Sequence, residues 1–582
     1  MSKTIFTAAL FAVLVAGAAQ AQPAPIPTDA PADTGTARTI GAGPFKAVVS
    51  AAHPLASDAG LEILRKGGSA ADAIAATMLA LTVVEPQSSG IGGGGFLVYQ
   101  PARGKIASID GREKAPGIAS PRQFLGADGK PMPFRMAQIG GRSAGVPGNI
   151  RLIAQAHKKY GKLPWADLFA PAIRLADQGF AVTPNMARFI AYGQDPLKKA
   201  GPEGRALYFD TAGQPLKAGA WFRNPALAQT LRTIADKGPD AFYTGEIAAS
   251  IVKAVSTADA NPTAMTLGDV AAYRAKWRTP VCGQYRVWRV CGMGPPSSGG
   301  VGMLAMLKQL ERYDMAGLGK DNAVAWHLFA ESQRLAYADR DKWLGDADFV
   351  RVPVKGLTDA RYLAARSALI RPDARLAKAE AGMPAGAPPR QAANDNEVAG
   401  TTHFAVADAA GNVATYTSTV ESTFGSGLVA GGFVLNNELT DFNFDPNDQG
   451  VLTANRVQPG KRPRSSMSPT IVYDASGKAV LAIGAAGGST IIAQVAKTII
   501  GVLDWGLPVD EAIALPTMVA IGDGGVRVEK DTFLAAMQPQ LAAMGHNVIL
   551  IPPFGKLNGI ERTPAGWRGG ADPRSEGTVV GE

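Results

Sequence analysis

The chain has 582 residues, 46% hydrophobic and 18% charged, which excludes wholesale disorder and allows about two to four domains or one large α/β unit. Two cysteines exclude a disulfide-stapled mini-fold, and five histidines without an H-x-x-x-H or C-x-x-C pair offer no zinc-type ligand set. The net charge of +9 contains no run of five Lys/Arg, so it implies solubility and weak attraction to anions and argues against nucleic-acid binding.

Residues 1–21 read as an export leader: Lys3 forms the positive start, Ile5 to Gly17 the apolar stretch, and Ala19-Gln20-Ala21 the small-x-small site cut before Gln22. The stretch is too short for a stable membrane anchor, which needs about 20 residues. Export predicts a periplasmic or secreted protein. Residues 22–44, rich in Pro, Ala and Thr, read as a flexible lead-in to the fold. Helices are predicted over His53–Lys66, closed by Gly67-Gly68, and over 70–84 behind the N-cap Ser69. The apolar run Ala73 to Val84 ends at Glu85-Pro86 and reads as a buried helix. Two strand-like runs follow, Phe96–Gln100 and Lys105–Asp110.

Two motifs here mislead. Gly90 to Gly95 satisfies G-x-G-x-x-G, but nucleotide binding needs strand, glycines, helix, and the order is helix, glycines, strand. Close backbone packing explains these glycines better. Gly141-Arg142-Ser143-Ala144-Gly145 matches the nucleophile elbow of serine hydrolases, yet PFRMAQIGG is a poor strand and Pro147-Gly148 interrupts the helix that should follow. Ser143 as the nucleophile of a serine hydrolase is the alternative of different mechanism.

From 146 to 345 the pattern is mostly amphipathic helix. Cys282 and Cys291 bracket an alternating stretch that predicts a strand pair with the cysteines facing, and an exported protein permits a structural disulfide between them. Residues 373–400 lack periodicity and large apolar side chains, so they read as exposed and mobile. At Thr401-Thr402-His403 a β-hairpin begins, turning at Ala409-Ala410-Gly411-Asn412. Further strands are predicted over 431–437, 470–474 and 479–486, and a helix over 491–505. No internal repeat is visible, and the layout is α/β with sheets covered by helices.

A flexible loop ending at Gly400-Thr401 just before a strand suggests a particular chemistry. A cut there would give Thr401 a free α-amine beside its own hydroxyl. Such an amine titrates near about 7.7–8.0, so nucleophile and base would share one residue. Taken alone, the dipeptide reads better as a strand start after a loop.

Ten separated stretches then agree in order: GGSAADAIAA, SSGIGGGGF, SIDGREKAP, FYTGEIA, GMGPPSSGG, the TTH junction, STFGSGLVAGGFVLNNELTDF, GKRPRSSMSPTIV, GAAGGS and GADPRSEG. Over residues 46–578 the chain resembles the γ-glutamyltranspeptidases, a family of N-terminal-nucleophile hydrolases. The resemblance implies an αββα sandwich formed by two subunits from one precursor. They would be a large subunit over 22–400, folded over 45–400 with 373–400 as processing segment, and a small subunit over 401–582, held together as a heterodimer. It implies Thr401 as nucleophile, Thr419 as its hydrogen-bond partner, and the Gly487 and Gly488 N–H groups as oxyanion hole. Arg112, Ser465 and Ser466 would hold the donor's α-carboxylate, and Glu438 and Asp441 its ammonium. No metal or cofactor is implied. The partners expected are glutathione and other γ-glutamyl compounds, with water, amino acids or dipeptides as acceptors.

Three departures stand out. Glu421 occupies a position that resembles an asparagine in well-known members, adding negative charge at the ammonium site. The run between Asp441 and Ser465 looks shorter than in members with a lid loop and lacks a tyrosine. Thr490 stands where an arginine often follows the glycine pair. The overall expectation is an exported, self-processing γ-glutamyl hydrolase/transferase, with a glutaryl-type amide (cephalosporin) acylase as the alternative of the same fold.

Overall fold

The computed structural model describes residues 39–390, 392, 400–448 and 450–582. The leader expected over 1–21, the lead-in over 22–38 and residues 391 and 393–399 of the processing segment lie outside the described residues. The lead-in ends earlier than expected. Gly41–Phe45 is already a strand, and Ala571 and Val579 donate backbone hydrogen bonds to Ile40 and Thr39. Its partners lie more than 500 residues away, where local composition cannot announce them.

Both early helices follow their caps. The His53 ring nitrogen Nδ1 accepts from the Leu55 N–H ahead of Pro54–Arg65. Ser69 and Asp72 form a reciprocal capping box ahead of Ala70–Val84. Every residue of that second helix is buried, as an apolar sequence without a polar face requires.

Two seven-stranded sheets, antiparallel throughout, pack face to face. The first runs Thr578–Gly581, Val48–Ala51, Thr401–Ala407, Val413–Thr419, Gly94–Gln100, Ala107–Asp110 and Lys276–Arg278. The second runs Gly41–Phe45, Gly566–Ala571, Leu557–Thr563, Ala479–Ala485, Thr470–Tyr473, Trp288–Gly292 and Val281–Tyr285. Pro54–Arg65, Ala70–Val84 and Asn149–Tyr160 cover the first sheet, and Gly299–Leu310, Ile491–Leu503 and Val509–Ala514 the second. The layers are therefore αββα. Each sheet mixes strands from before and after residue 400, so a cut at that point leaves both halves hydrogen-bonded to each other.

The strand Thr401–Ala407 is buried on both faces. Its alternation sends Phe404 and Val406 into the core beneath the first helical layer and Ala405 and Ala407 between the sheets. The predicted hairpin is present, with Thr401 opposite Thr419 and a turn through Gly411 at φ 90°. Cys282 and Cys291 face each other in register and are disulfide-bonded, with Cα atoms 4.1 Å apart. The glycines at 92–95 serve packing: a Cβ on Gly93 would strike the Thr419 carbonyl, and one on Gly94 the Glu113 carboxylate. The strand expected over 431–437 is instead one short pairing of two strands, Val429–Ala430 with Phe433–Val434, because Gly431 and Gly432, at φ 53° and 84°, turn the chain between them.

Residues 373–390 form neither helix nor strand. They lie along the helix Ala323–Trp343, with the Leu376 N–H on Glu331 and the Gly382 N–H on Asp339, each at 2.7 Å. Among the described residues no helix is long and apolar enough to cross a membrane.

Candidate active site

Thr401 begins its strand and Thr419 ends the next, so the register places their side chains together. The hydroxyls are 3.1 Å apart. The Thr419 hydroxyl accepts from the Glu421 N–H at 2.8 Å and donates to the Gly400 carbonyl at 3.0 Å. With its single proton on Gly400, Thr419 accepts from Thr401 rather than donating to it. The same hydroxyl thus touches the Thr401 side chain and polarises the carbonyl on the N-terminal side of the Gly400–Thr401 bond. Gly400 has no room for a side chain, since a Cβ would strike the Glu421 and Ser422 backbone.

Gly487 and Gly488 follow the strand Ala479–Ala485, with φ of 134° and 58° that glycine adopts readily. The short turn Gly488–Thr490 leads into the helix Ile491–Leu503, whose opening N–H groups lack intrahelical acceptors and carry the positive end of its dipole. Thr490 braces this turn locally, its hydroxyl donating to the Gly487 carbonyl at 2.7 Å and accepting from Gln494 at 2.8 Å.

Arg112 is fully buried where the strand Ala107–Asp110 ends. Its guanidinium donates to the Pro463 and Arg464 carbonyls and pairs with Glu438 and with Asp441, the latter at 2.5 Å. Glu438 and Asp441 sit on one short 3-10 turn, Glu438–Asp441. Glu421, at φ 76°, accepts from Ser422 and Asn437. One small cavity is lined by Arg112, Thr401, Thr419, Glu421, Glu438 and Asp441, and by Ser465, Ser466 and Gly488. Gly487 stands beside it rather than on its wall. Ser143 does not reach the cavity: it is buried on the turn Gly141–Ser143 with its hydroxyl on the Gln138 and Gly140 carbonyls, and the strand an elbow needs is missing.

The cavity gathers acid around one cation. Burial raises the Glu438 carboxyl well above the usual range, with Glu113 and Glu421 adding to the rise and Arg112 opposing it. Burial likewise pushes Glu113 up to about 7, against the pull of Arg112. Such a site is short of positive charge and suits a ligand ammonium.

Three nearby residues are given no role by the sequence, although Glu113 and His403 lie inside matched stretches. Glu113 is the first. Lys556, opening the strand Leu557–Thr563, donates to the Thr401 carbonyl at 3.1 Å and the Ser88 hydroxyl at 3.0 Å while paired with Glu85. His403 bridges the Thr417 and Thr415 hydroxyls at 2.8 and 3.0 Å, and burial lowers it to about 3, so it stays neutral and braces the strand pair. Periodicity announces none of these, because each matters only through a neighbour distant in the chain or across a strand.

A family model described as gamma-glutamyltranspeptidase matches residues 56–582. A glutathione hydrolase proenzyme of Bacillus subtilis (strain 168) is 36% identical over 547 residues, covering 92% of this chain and 91% of that protein. The acylase ACY 1 proenzyme of Pseudomonas sp. (strain SE83) is 35% identical, covering 96% of this chain and 97% of that protein. The crystal structure of a cephalosporin acylase from Bacillus halodurans superposes with a TM-score of 0.82 at 28% identity, covering 96% of this chain and 99% of that one.

Proposed function

The chain belongs to the γ-glutamyltranspeptidase family, and from that premise we propose that it is an exported, self-processing γ-glutamyl hydrolase/transferase whose nucleophile is Thr401. The observation that carries the reading is the shared cavity. It joins Thr401 and Thr419 to one buried guanidinium, two serines and three carboxylates.

Processing would begin when the Thr401 hydroxyl attacks the Gly400 carbonyl, which Thr419 polarises. As the ester forms, the Gly400–Thr401 C–N bond breaks and the departing Thr401 nitrogen takes up the proton as a free amine; water then hydrolyses the ester, releasing the Gly400 carboxylate and the Thr401 hydroxyl. In turnover that amine takes the hydroxyl proton as the oxygen attacks the γ-amide carbonyl, and the oxyanion is held by the Gly487 and Gly488 N–H groups. Each such donor is typically worth about 10²–10³ in rate. Collapse expels the leaving amine, which receives the proton, and leaves an ester on Thr401. Water or an acceptor amine then attacks that ester. The substrate α-carboxylate would meet Arg112, Ser465 and Ser466, and its ammonium Glu438, Asp441 and Glu421. Glu438 and Asp441 pair with Arg112 itself, so a zwitterionic end exchanges ion pairs rather than adding unbalanced charge.

The likeness to acylase ACY 1 and to cephalosporin acylase favours a second reading, cleavage of glutaryl-type amides. A glutaryl group has no ammonium, and three buried carboxylates would then face an uncharged chain at a desolvation cost. Turnover of a γ-glutamyl anilide against its glutaryl analogue decides between them. At least a 100-fold preference for the γ-glutamyl donor is expected, and parity or reversal rejects the reading.

Acid pH should weaken donor binding. Below about 7 Glu113 is protonated, the site loses negative charge and the ammonium is held less well. The donor KM should rise about tenfold from pH 8 to pH 6, as the ionised fraction of one such group falls. Glu113→Gln should flatten that rise while the acid limb of kcat, set by the Thr401 amine, persists. A KM in the wild type that stays level over this window rules the assignment out.

A further inference from the structure

We propose that Arg340 is a positioning residue for donor recognition, holding the Ser466 hydroxyl as a hydrogen-bond donor for the substrate α-carboxylate. The inference rests on the γ-glutamyl reading of the site. Arg340 lies on the helix Ala323–Trp343, 126 residues from Ser466, and its side chain is 1% exposed. Its Nη2 donates to the Ser466 hydroxyl at 2.7 Å and its Nε to the Ser298 hydroxyl at 2.9 Å.

A guanidinium has N–H donors and no acceptor. In the contact with Arg340, Ser466 is therefore obliged to accept, and its one proton is left for another partner. Ser466 lines the cavity that also holds Thr401 and Arg112. Ser465 follows the same rule by another route, since its hydroxyl accepts from the Met467 N–H at 3.2 Å. The backbone here is fixed as well: the Ser465 carbonyl accepts from both the N–H and the hydroxyl of Ser298, each at 2.7 Å. Ser298 thus accepts from Arg340 and donates its hydroxyl to the Ser465 carbonyl, which locks the order of donors and acceptors.

The charge is placed to match. Arg340 Nη1 pairs with Asp341 at 2.8 Å, and Asp341 also pairs with Arg464 at 3.3 Å. The Arg464 carbonyl in turn accepts from Arg112 at 2.8 Å. One network of ion pairs and hydrogen bonds therefore links Arg340, through Asp341 and Arg464, to Arg112. A carboxylate only accepts, so two hydroxyls that each already accept a hydrogen bond and keep a proton to give complement it. A serine free to rotate would instead divide its proton among nearby carbonyls.

The test compares two donors in processed enzyme. One is a γ-glutamyl anilide, and the other a 4-aminobutyryl anilide, which keeps the ammonium and lacks the α-carboxylate. Arg340→Met should lower the ratio of kcat/KM for the first over the second by about 10- to 100-fold, the range for losing a charge-assisted hydrogen bond. The loss should fall mainly on KM, and Arg340→Lys should restore part of it. Arg340→Met combined with Ser466→Ala should lower the ratio no further than Ser466→Ala alone.

If Ser466→Ala leaves the ratio unchanged, the carboxylate reading of Ser466 fails and this proposal with it. If Ser466→Ala lowers the ratio while both Arg340 variants leave it intact, the reading stands and the positioning role is overturned. Equal losses on both donors in the Arg340 variants mean a structural role and also overturn it. Should Arg340→Met not fold, Arg340→Lys and Ser298→Ala carry the same comparison, and an intact ratio in both rejects the proposal.

Discussion

Thr401→Ala is expected to remain one uncut chain and to lose turnover of γ-glutamyl donors by at least about 10⁴-fold, the scale seen when a nucleophile is removed from a coupled site. The wild type should instead yield fragments of about 39 and 19 kDa, residues 22–400 and 401–582 of the 60.3 kDa chain. The smaller should begin Thr-Thr-His. Both effects have one cause, because the same oxygen would attack the Gly400 carbonyl once and the donor amide in every later cycle. The substitution removes little volume from a site whose strand is paired on both sides, so the variant should melt close to the uncut wild-type precursor. Thr419→Val offers a graded control. It keeps the shape, removes the hydroxyl from the Gly400 carbonyl, and should slow processing by about 10- to 100-fold. Intact mass and N-terminal sequencing read both variants. A Thr401→Ala protein that still cuts at Gly400 would falsify the mechanism.

Arg112→Met should have the second-largest effect, a loss of about 10³-fold in kcat/KM for a γ-glutamyl donor with processing intact. Removing one member of a buried, hydrogen-bonded charge group costs about 3–5 kcal/mol, because the remaining charges are left without compensation. Here the remainder are Glu438 and Asp441, which must then take up protons and no longer attract the donor ammonium. One substitution thus injures both ends of the zwitterion site. Arg112→Lys should rescue little, since a single ammonium cannot span two carboxylates and the Pro463 and Arg464 carbonyls. Processing is the internal control, because the guanidinium donates to Pro463 and Arg464 and pairs with Glu438 and Asp441, away from the Gly400–Thr401 bond's own hydrogen bonds. Correctly cut Arg112→Met protein with activity within tenfold of wild type would remove Arg112 from the clamp.

Local chemistry was enough for much of this molecule. The capping box Ser69–Asp72, the all-apolar run to Val84, the hairpin that opens at Thr401 and the facing cysteines are interactions between residues close in sequence. Each is therefore visible in spacing and residue type. The motif order carried further, marking the residues of the proposed site from Arg112 to Gly488. Its limits appear where neighbours are remote. The strand expected over 431–437 broke at two glycines, and the flexible lead-in proved bound from Thr39 onward to the last strands of the chain.

Tertiary structure decided the rest. The antiparallel registers of two interleaved sheets bring Arg112 to Glu438, Lys556 to Thr401 and Arg340 to Ser466. These residues are 326, 155 and 126 positions apart, with no period or motif joining them. A side chain's partner across a sandwich depends on the pairing of every intervening strand, and that pairing minimises the energy of the whole core rather than of any segment. Along the chain, the family resemblance therefore marked a proposed nucleophile and the charges a donor would need. Only the packed sheets determined which acid faces which base, how far the buried carboxyls rise, and which serine is made to donate.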